Sequence, residues 1–278
     1  MRLPIINHKY ILFILILSNL VTWCNIGVIW AGPNSNAITF LDIGQGDATI
    51  LQTNYSHQII IDGGPDSTIL EKLDHYLPIN DKEIELMILT HPHSDHLTGL
   101  LYILENYQVN YLVYTNVAYD NQQYLHFQEI IKNKPTQVIT ATAGQKIIFD
   151  QIITLDILYP DSSPAKNLDI NDTSIAIKIS TPKQTILMMG DLSARIETKL
   201  IKQYGNTLNS HILKTGHHGS RSATSPTFLD YVQPEFAIIS CGIDNQYHHP
   251  HPETIENLAN KNITIKRTDT DGDIGFKI

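Results

Sequence analysis

Apolar and polar positions alternate in short runs along most of the chain, and the runs have the length of strands rather than helices. Ala37–Ile43, Ala48–Gln52 and Gln58–Asp62 read as the first three, with Gly44-Gln45-Gly46 turning the first back on the second as a hairpin. Helical spacing follows at Ser67–Tyr76, then Ile84–Thr90 reads as a buried strand and Leu97–Tyr107 as a helix. Strands are expected at Tyr111–Tyr114, Gln137–Thr140, Ile152–Leu158, Ser174–Ser180 and Thr185–Met189. A helix at Leu192–Tyr204 and a short strand at Ile212–Lys214 come next. Ser225-Pro226 pairs an N-cap residue with Pro at the first helical position, opening a helix to about Val232. Phe236–Ser240, a helix near Pro252–Asn260 and two closing strands complete the chain. No repeat or low-complexity linker divides it beyond Asn36. Strands dominate both halves with helices between them, which predicts one α+β domain over residues 32–278. Its two sheets would pack face to face with helices on the outer faces, an αββα sandwich.

Residues 1–31 break this pattern. Arg2, His8 and Lys9 precede an uncharged run from Tyr10 through Ala31. About 20 helical residues span ~30 Å, the thickness of a bilayer core, and Tyr10, Trp23 and Trp30 suit its interfaces. The expectation is a membrane anchor with the positive end in the cytoplasm and the following domain outside. The alternative is a signal peptide cleaved after Ala31, although the run exceeds the 7–15 residues usual for a signal core. Trp23 is too bulky to precede a lipoprotein cleavage site at Cys24.

Charge and cysteine narrow the chemistry. The 19 basic and 28 acidic residues give a formal net charge of −9, the wrong sign for coating nucleic acid through clustered Lys and Arg. A local phosphate-binding cleft remains open to the chain if its positive charge comes from metal. The only cysteines are Cys24 and Cys241, which excludes a disulfide framework and a thiolate metal cluster. Any metal must be held by imidazole and carboxylate.

Such groups crowd into "LTHPHSDHLTG" (Leu89–Gly99), where His91, His93, Asp95 and His96 follow an apolar run. His91 and His93 can converge on one divalent ion, and Asp95 and His96 can hold a second beside it. A bridging group is then needed. Asp191, at the end of "TILMMGD", is the candidate, although a Gly-Asp there could equally cap the following helix. "LKTGHHGSR" adds His217 and His218 after another strand, and "YHHPHPE" adds His248, His249 and His251, either in a cleft wall or in a surface loop. Gly44-Gln45-Gly46 is no dinucleotide loop, because a strand follows it. Ser220 lacks the G-x-S-x-G setting of a serine nucleophile.

"HPHSDH" matches the H-x-H-x-D-H signature of the metallo-β-lactamase superfamily. "FLDIGQGDATIL", "IDGG", "LTHPHSDHLTGL", "GD", "KTGHHGSRSATSPTFL", "HPHPE" and "RTDTDGDI", in that order, resemble the metallo-β-lactamase-like domain of ComEC/Rec2 competence proteins. The resemblance implies a metallo-β-lactamase-like αββα fold, two divalent ions (Zn or Mn) and hydrolysis, with degradation of DNA during uptake as the associated role. It places His91 and His93 on one metal, Asp95 and His96 on the other, Asp191 as the bridge, and His217 or His218 completing the second site. Asp62 in "IDGG" would brace the metal loop, with Asp47 as a further residue around the metals or the substrate.

One departure stands out. Many superfamily members carry another metal-binding His upstream of the bridging Asp, where this chain has "NLDINDTSI". Asn171, Asp172 or Thr173 would have to supply oxygen instead, favouring an oxygen-binding ion such as manganese at that site. The single apolar segment also implies that a separate channel subunit would be needed for uptake. The resulting expectation is a membrane-anchored, extracytoplasmic hydrolase of phosphate esters, DNA among them. Metal would acidify a bridging water, Asp95 would hold or deprotonate it, and His218 or His249 would protonate the leaving oxygen or bind phosphate. Ser220 and Arg221 would contact substrate. The alternatives are a metallohydrolase of another ester (a lipid headgroup, a cell-wall choline ester or a small ester) and a non-catalytic component of an uptake assembly.

Overall fold

A computed structural model describes residues 36–162 and 168–278. The anchor expected over residues 1–31 lies outside them, and among the described residues no helix is long and apolar enough to cross a membrane.

The first half opens as an antiparallel meander of β1 (Ala37–Phe40), β2 (Ala48–Gln52) and β3 (Gln58–Gly63). It continues in parallel through β4 (Glu83–Leu89), β5 (Gln108–Tyr114) and β6 (Gln137–Thr140). The second half repeats the scheme. β7 (Lys146–Phe149), β8 (Ile153–Tyr159), β9 (Ala176–Ser180) and β10 (Thr185–Met188) are antiparallel. β11 (Ile212–Lys214), β12 (Phe236–Ile239) and β13 (Thr264–Arg267) then run parallel to β10. A last strand, β14 (Ile274–Lys277), crosses back to pair with β1. The result is two seven-stranded sheets, ordered β14-β1-β2-β3-β4-β5-β6 and β13-β12-β11-β10-β9-β8-β7.

Three apolar clusters follow from the period-two alternation of strand side chains. Ile59 and Ile61 of β3, Leu86 and Ile88 of β4, and Ile177 and Ile179 of β9 meet between the sheets. The intervening Ile60, Met87 and Leu89 face outward, under α1 (Thr68–Tyr76), α2 (Ser94–Asn106) and α3 (Gln122–Asn133). On the other outer face Leu187, Leu213 and Ile239 pack beneath α4 (Ala194–Tyr204), α5 (Pro226–Val232) and α6 (Pro252–Ala259). Both sheets are thus apolar on both faces, which is the reason their strands read as near-continuous hydrophobic runs. Each fully buried Ile or Leu contributes about 1.5–3 kcal/mol.

The expected sandwich is present, with local differences. β1 ends at Phe40 rather than Ile43. α2 begins at Ser94, inside the histidine motif. The α3 helix and the β7 strand were not expected. The short helix α7 (Thr268–Asp271) separates the two closing strands, which lie in different sheets.

Candidate metal centre

The parallel strands of both sheets end at one edge, and the loops leaving those ends carry the chemistry. Asp62 lies near the end of β3, His91 follows β4, Asp191 follows β10, and His217 follows β11. The loops approach one another closely. A Cβ on Gly46 would lie 2.2 Å from the Asp95 carbonyl oxygen, and one on Gly99 would lie 1.8 Å from that of Gly63. Only glycine permits the first contact, which docks the Gly44–Asp47 turn on the histidine motif, where the Asp47 N–H also donates to the Asp95 carbonyl. The second contact seats α2 against β3.

Asp191 stands at the centre, 2% exposed. It does not cap α4, whose N-cap position is Ser193. Its Oδ2 lies 3.6 Å from His91 Nε2, 3.5 Å from His218 Nε2 and 3.8 Å from His217 Nε2, and its Oδ1 lies 3.4 Å from His96 Nε2. On one side His91 Nε2 faces His93 Nδ1 at 3.2 Å. On the other His96 Nε2 faces His218 Nε2 at 3.4 Å, and Asp95 Oδ2 lies 3.2 Å from that same His218 nitrogen. Two groups of side chains therefore share one carboxylate. His91, His93 and Asp191 offer ligand atoms within 4.8 Å of one another, as do Asp47, His96, Asp191 and His218.

The outer nitrogens show which ring atoms are available. His96 Nδ1 is 2.8 Å from Asp62, which also accepts from the Thr90 amide and hydroxyl, so the aspartate fixes ring and loop together. His218 Nδ1 donates to the Ser240 carbonyl at 3.0 Å. Asp47 meets His218 on that same Nδ1 side at 3.2 Å, with its other oxygen 2.8 Å from the buried Lys214 ammonium. Asp47 thus braces His218 from behind, while Asp95 reaches the inward nitrogen.

The donor set fits divalent cations. With their outer nitrogens donating, His96 and His218 aim Nε2 at one another across 3.4 Å. If the rings are neutral, two lone pairs oppose each other; if they are protonated, two N–H groups do. A cation between the two neutral rings removes the lone-pair repulsion, and it takes the place that protons fill in the acid form. Burial opposes a proton on His218, yet Asp191 and Asp47 outweigh it and hold the ring up to about 10. His96 is likewise lifted well above the usual histidine value, against burial, by Asp191 and Asp62. The site demands positive charge. His91 is driven the other way, chiefly by burial and then by His96. Asp191 Oδ1 is buried without a hydrogen bond of good geometry.

Of the three residues considered for the missing histidine, the structure brings one to the site. Asn171, in a single 3-10 turn (Asn171–Thr173), lines the cleft with His93, and its buried Oδ1 has no hydrogen-bond partner among the described residues. Asp172 turns away to Arg195 at 2.6 Å and the Ser193 amide, and the Thr173 hydroxyl donates to the Ile170 carbonyl. His217 and His218 occupy consecutive left-handed conformations, φ +50° and +54°, a strained arrangement of the kind found at functional sites. The kink buries His218 in the cluster and leaves His217, 27% exposed, on the cleft wall.

A cleft of about 300 Å³ opens over the cluster, lined in part by Gln45, Tyr119, Asn121, Tyr247 and His249. No sequence motif pointed to Tyr119 or Asn121. Tyr247 and the buried Lys214 stand in "YHHPHPE" and "LKTGHHGSR", where only the histidines and the Ser220-Arg221 pair stood out. The His218 outer nitrogen is bonded to Ser240 and its inward one faces the ligand groups, so of the two expected acids His249 is the one placed to serve the cleft. Burial and then the neighbouring His218 push His249 down to about 4, so it is neutral near pH 7 and suited to accept a proton or donate an N–H bond. Ser220 and Arg221 do not reach the cleft: Ser220 Oγ lies 3.0 Å from Ser222 Oγ, and Arg221 extends into solvent 3.8 Å from Glu253. His251 is tied to the Arg221 amide at 3.1 Å.

Comparison with known proteins agrees with this geometry. Residues 41–243 match the model of the metallo-beta-lactamase superfamily. The chain is 25% identical over 268 residues to ComE operon protein 3 of Bacillus subtilis, covering 86% of this chain and 33% of that protein. It is 27% identical over 243 residues to Competence protein ComA of Neisseria gonorrhoeae, covering 87% and 32%. The chain thus spans about a third of the length of these relatives. Among solved structures, the metallo-beta-lactamase fold protein YhfI from Bacillus subtilis superposes with a TM-score of 0.58 at 14% identity, over 87% of this chain and all of that one. That likeness concerns the fold alone.

Proposed function

This chain belongs to the metallo-beta-lactamase superfamily, and we propose that it is a metal-dependent hydrolase of phosphodiesters, acting on nucleic acid outside the cytoplasm from a membrane anchor. The observation that carries the reading is the pair of ligand groups sharing Asp191 beneath an open cleft. Divalent cations held there would acidify coordinated water and offset charge on the attacked phosphate.

The chain's own residues divide the remaining work. His91, His93, Asp191 and Asn171 make one group; His96, His218, Asp95 and Asp191 make the other. Asp95 Oδ2, partly exposed at the cleft floor, can hold a water by accepting its hydrogen bond; His218 and His96 outweigh burial and keep the carboxylate ionised. The His249 side chain, neutral at the cleft wall, can bond a phosphate oxygen through its N–H. Asp62 and Ser240 fix the His96 and His218 rings so that their inward nitrogens stay available. The name Competence protein ComA supports a nucleic-acid substrate, and the uncharged run from Tyr10 through Ala31 supports the anchor. By the same reasoning a separate channel subunit would be its partner.

The test is turnover of bis-p-nitrophenyl phosphate and of DNA by the full chain with Mn²⁺ or Zn²⁺. Turnover of both, lost in His93→Ala and Asp191→Ala, is expected. Turnover of the small diester without DNA would move the substrate away from nucleic acid, and a protein that binds no metal would overturn the hydrolase reading.

A further inference from the structure

The cleft has an unusual composition for a phosphodiester site. Among the described residues, none that lines it is Lys or Arg, and two carboxylates, Asp95 and Asp191, lie on its floor. The described walls therefore offer a run of nucleic-acid phosphates no fixed cation beyond those the ligand groups could hold. Two tyrosines are present instead, one beside each group. Tyr119 stands 6.0 Å from the His93 ring and is seated on the buried Tyr124 at 6.1 Å. Tyr247 lies nearly parallel to His249, at 5.7 Å and 25°, and is 52% exposed on the loop that forms the other wall. Each ring is backed by another aromatic ring. This arrangement limits side-chain motion while leaving Tyr247 open to solvent.

Resting on the hydrolase reading above, we propose that Tyr119 and Tyr247 are positioning residues that stack unpaired bases flanking the scissile phosphate, so that the substrate is single-stranded nucleic acid. Stacking gives sequence-tolerant affinity because every base presents a π-face, and it needs no positive surface. A base can reach a tyrosine only when it is out of a duplex. A cleft of about 300 Å³ is at the small end for ligand sites and admits a strand more readily than a double helix. With few phosphates neutralised by Lys or Arg, binding should also depend weakly on salt.

The test measures binding to the full chain, with its metal content unchanged, of two fluorescein-labelled hexanucleotides on phosphorothioate backbones that resist turnover. One carries thymine at every position and the other is abasic throughout, so length and charge match. The thymine probe should bind about tenfold more tightly. Tyr247→Leu and Tyr119→Leu should each remove several-fold of that preference and leave the abasic probe unaffected, while Tyr119→Phe keeps it. Tyr247 is exposed, so its variant stays informative if a change at Tyr119 disturbs folding. Equal affinity for the two probes, equal losses on both, or equally tight binding of a hairpin whose closed stem pairs every thymine would overturn the proposal. The hydrolase reading is judged separately, by bis-p-nitrophenyl phosphate turnover, so either can fail while the other stands.

Discussion

The two groups of ligand side chains that meet at Asp191 are built to different standards. In one, His96 and His218 are buried, each has its outer nitrogen engaged, and Asp62 is itself held by Thr90. In the other, His91 is buried, but its nearest outer contact is the Thr90 hydroxyl at 3.3 Å. His93 there is partly exposed, and Asn171 lines the cleft beside it with a buried Oδ1 that has no hydrogen-bond partner among the described residues. The first group is preorganised by hydrogen bonds formed on folding. The second leaves more of its organisation to whatever binds. Affinity and exchange should differ accordingly, with the open group releasing its ion first.

Removing the shared carboxylate should erase that difference. In Asp191→Ala both groups lose a ligand, and hydrolysis should fall by more than the about 100-fold that losing an outer hydrogen-bond partner costs at most. Metal content measured alongside activity should fall at both sites. A variant that kept one full equivalent of metal would show the groups to be independent. Next in size is Asp62→Asn, which weakens the brace on one group only. Competition with a chelator should show metal affinity down about 10- to 100-fold at the tighter site, with the weaker site little changed. Loss at both sites would mean that Asp62 positions the whole loop.

The open group can be improved. Asn171→His should supply the missing imidazole and tighten zinc binding at the weaker site by about tenfold, ~1.4 kcal/mol. Calorimetric titration would check it, and unchanged affinity would place Asn171 outside the ligand set. The metal-free protein should also respond to pH in two opposite senses. His218, raised to about 10 in the fold, contributes stability that is complete below the unfolded value near 6.5 and fades as pH rises toward 10. His249, lowered to about 4, contributes above about 6.5 and fades as pH falls toward 4. Denaturant melts of the chelator-treated chain should therefore show a shallower alkaline decline in His218→Gln, the remainder belonging to His96, and a shallower acidic one in His249→Gln, the remainder belonging to His91 and His93. The smallest effect should come from Arg221→Ala. Its outward side chain predicts stability within about 0.5 kcal/mol and unchanged turnover of a small diester.

How much of this could be read from the sequence depended on how local each feature is. The HPHSDH cluster was legible as a candidate because one strand end and one helix start deliver four ligand-type side chains within six residues. Asp191 needed more: a Gly-Asp after a strand also suits a helix cap, and only the start of α4 at Ala194 shows its side chain to be free. The choice between His217 and His218 rests on two left-handed backbone conformations that spacing cannot reveal. Asp172, Asn171 and Thr173 were equivalent until Arg195, 23 residues along the chain, proved to hold Asp172. The α3 helix was available to a closer reading, since Tyr124, Phe127 and Ile131 recur at helical spacing after the Asn121 cap. β7 was harder to see, because its four residues, three of them apolar, are too few to show the alternation of a half-buried strand. Tyr119 belongs to no local pattern, and Tyr247, although it opens "YHHPHPE", becomes a neighbour of the cleft only through the fold.

The central claim is that one carboxylate joins two unequal ligand groups, and metal titration of the full chain addresses it most directly. Isothermal calorimetry with Zn²⁺ or Mn²⁺ into the chelator-treated protein should give two equivalents with separable affinities, and His93→Ala should lose the weaker while keeping the tighter. A single equivalent in the wild-type chain, or loss of the tighter site in His93→Ala, would contradict it.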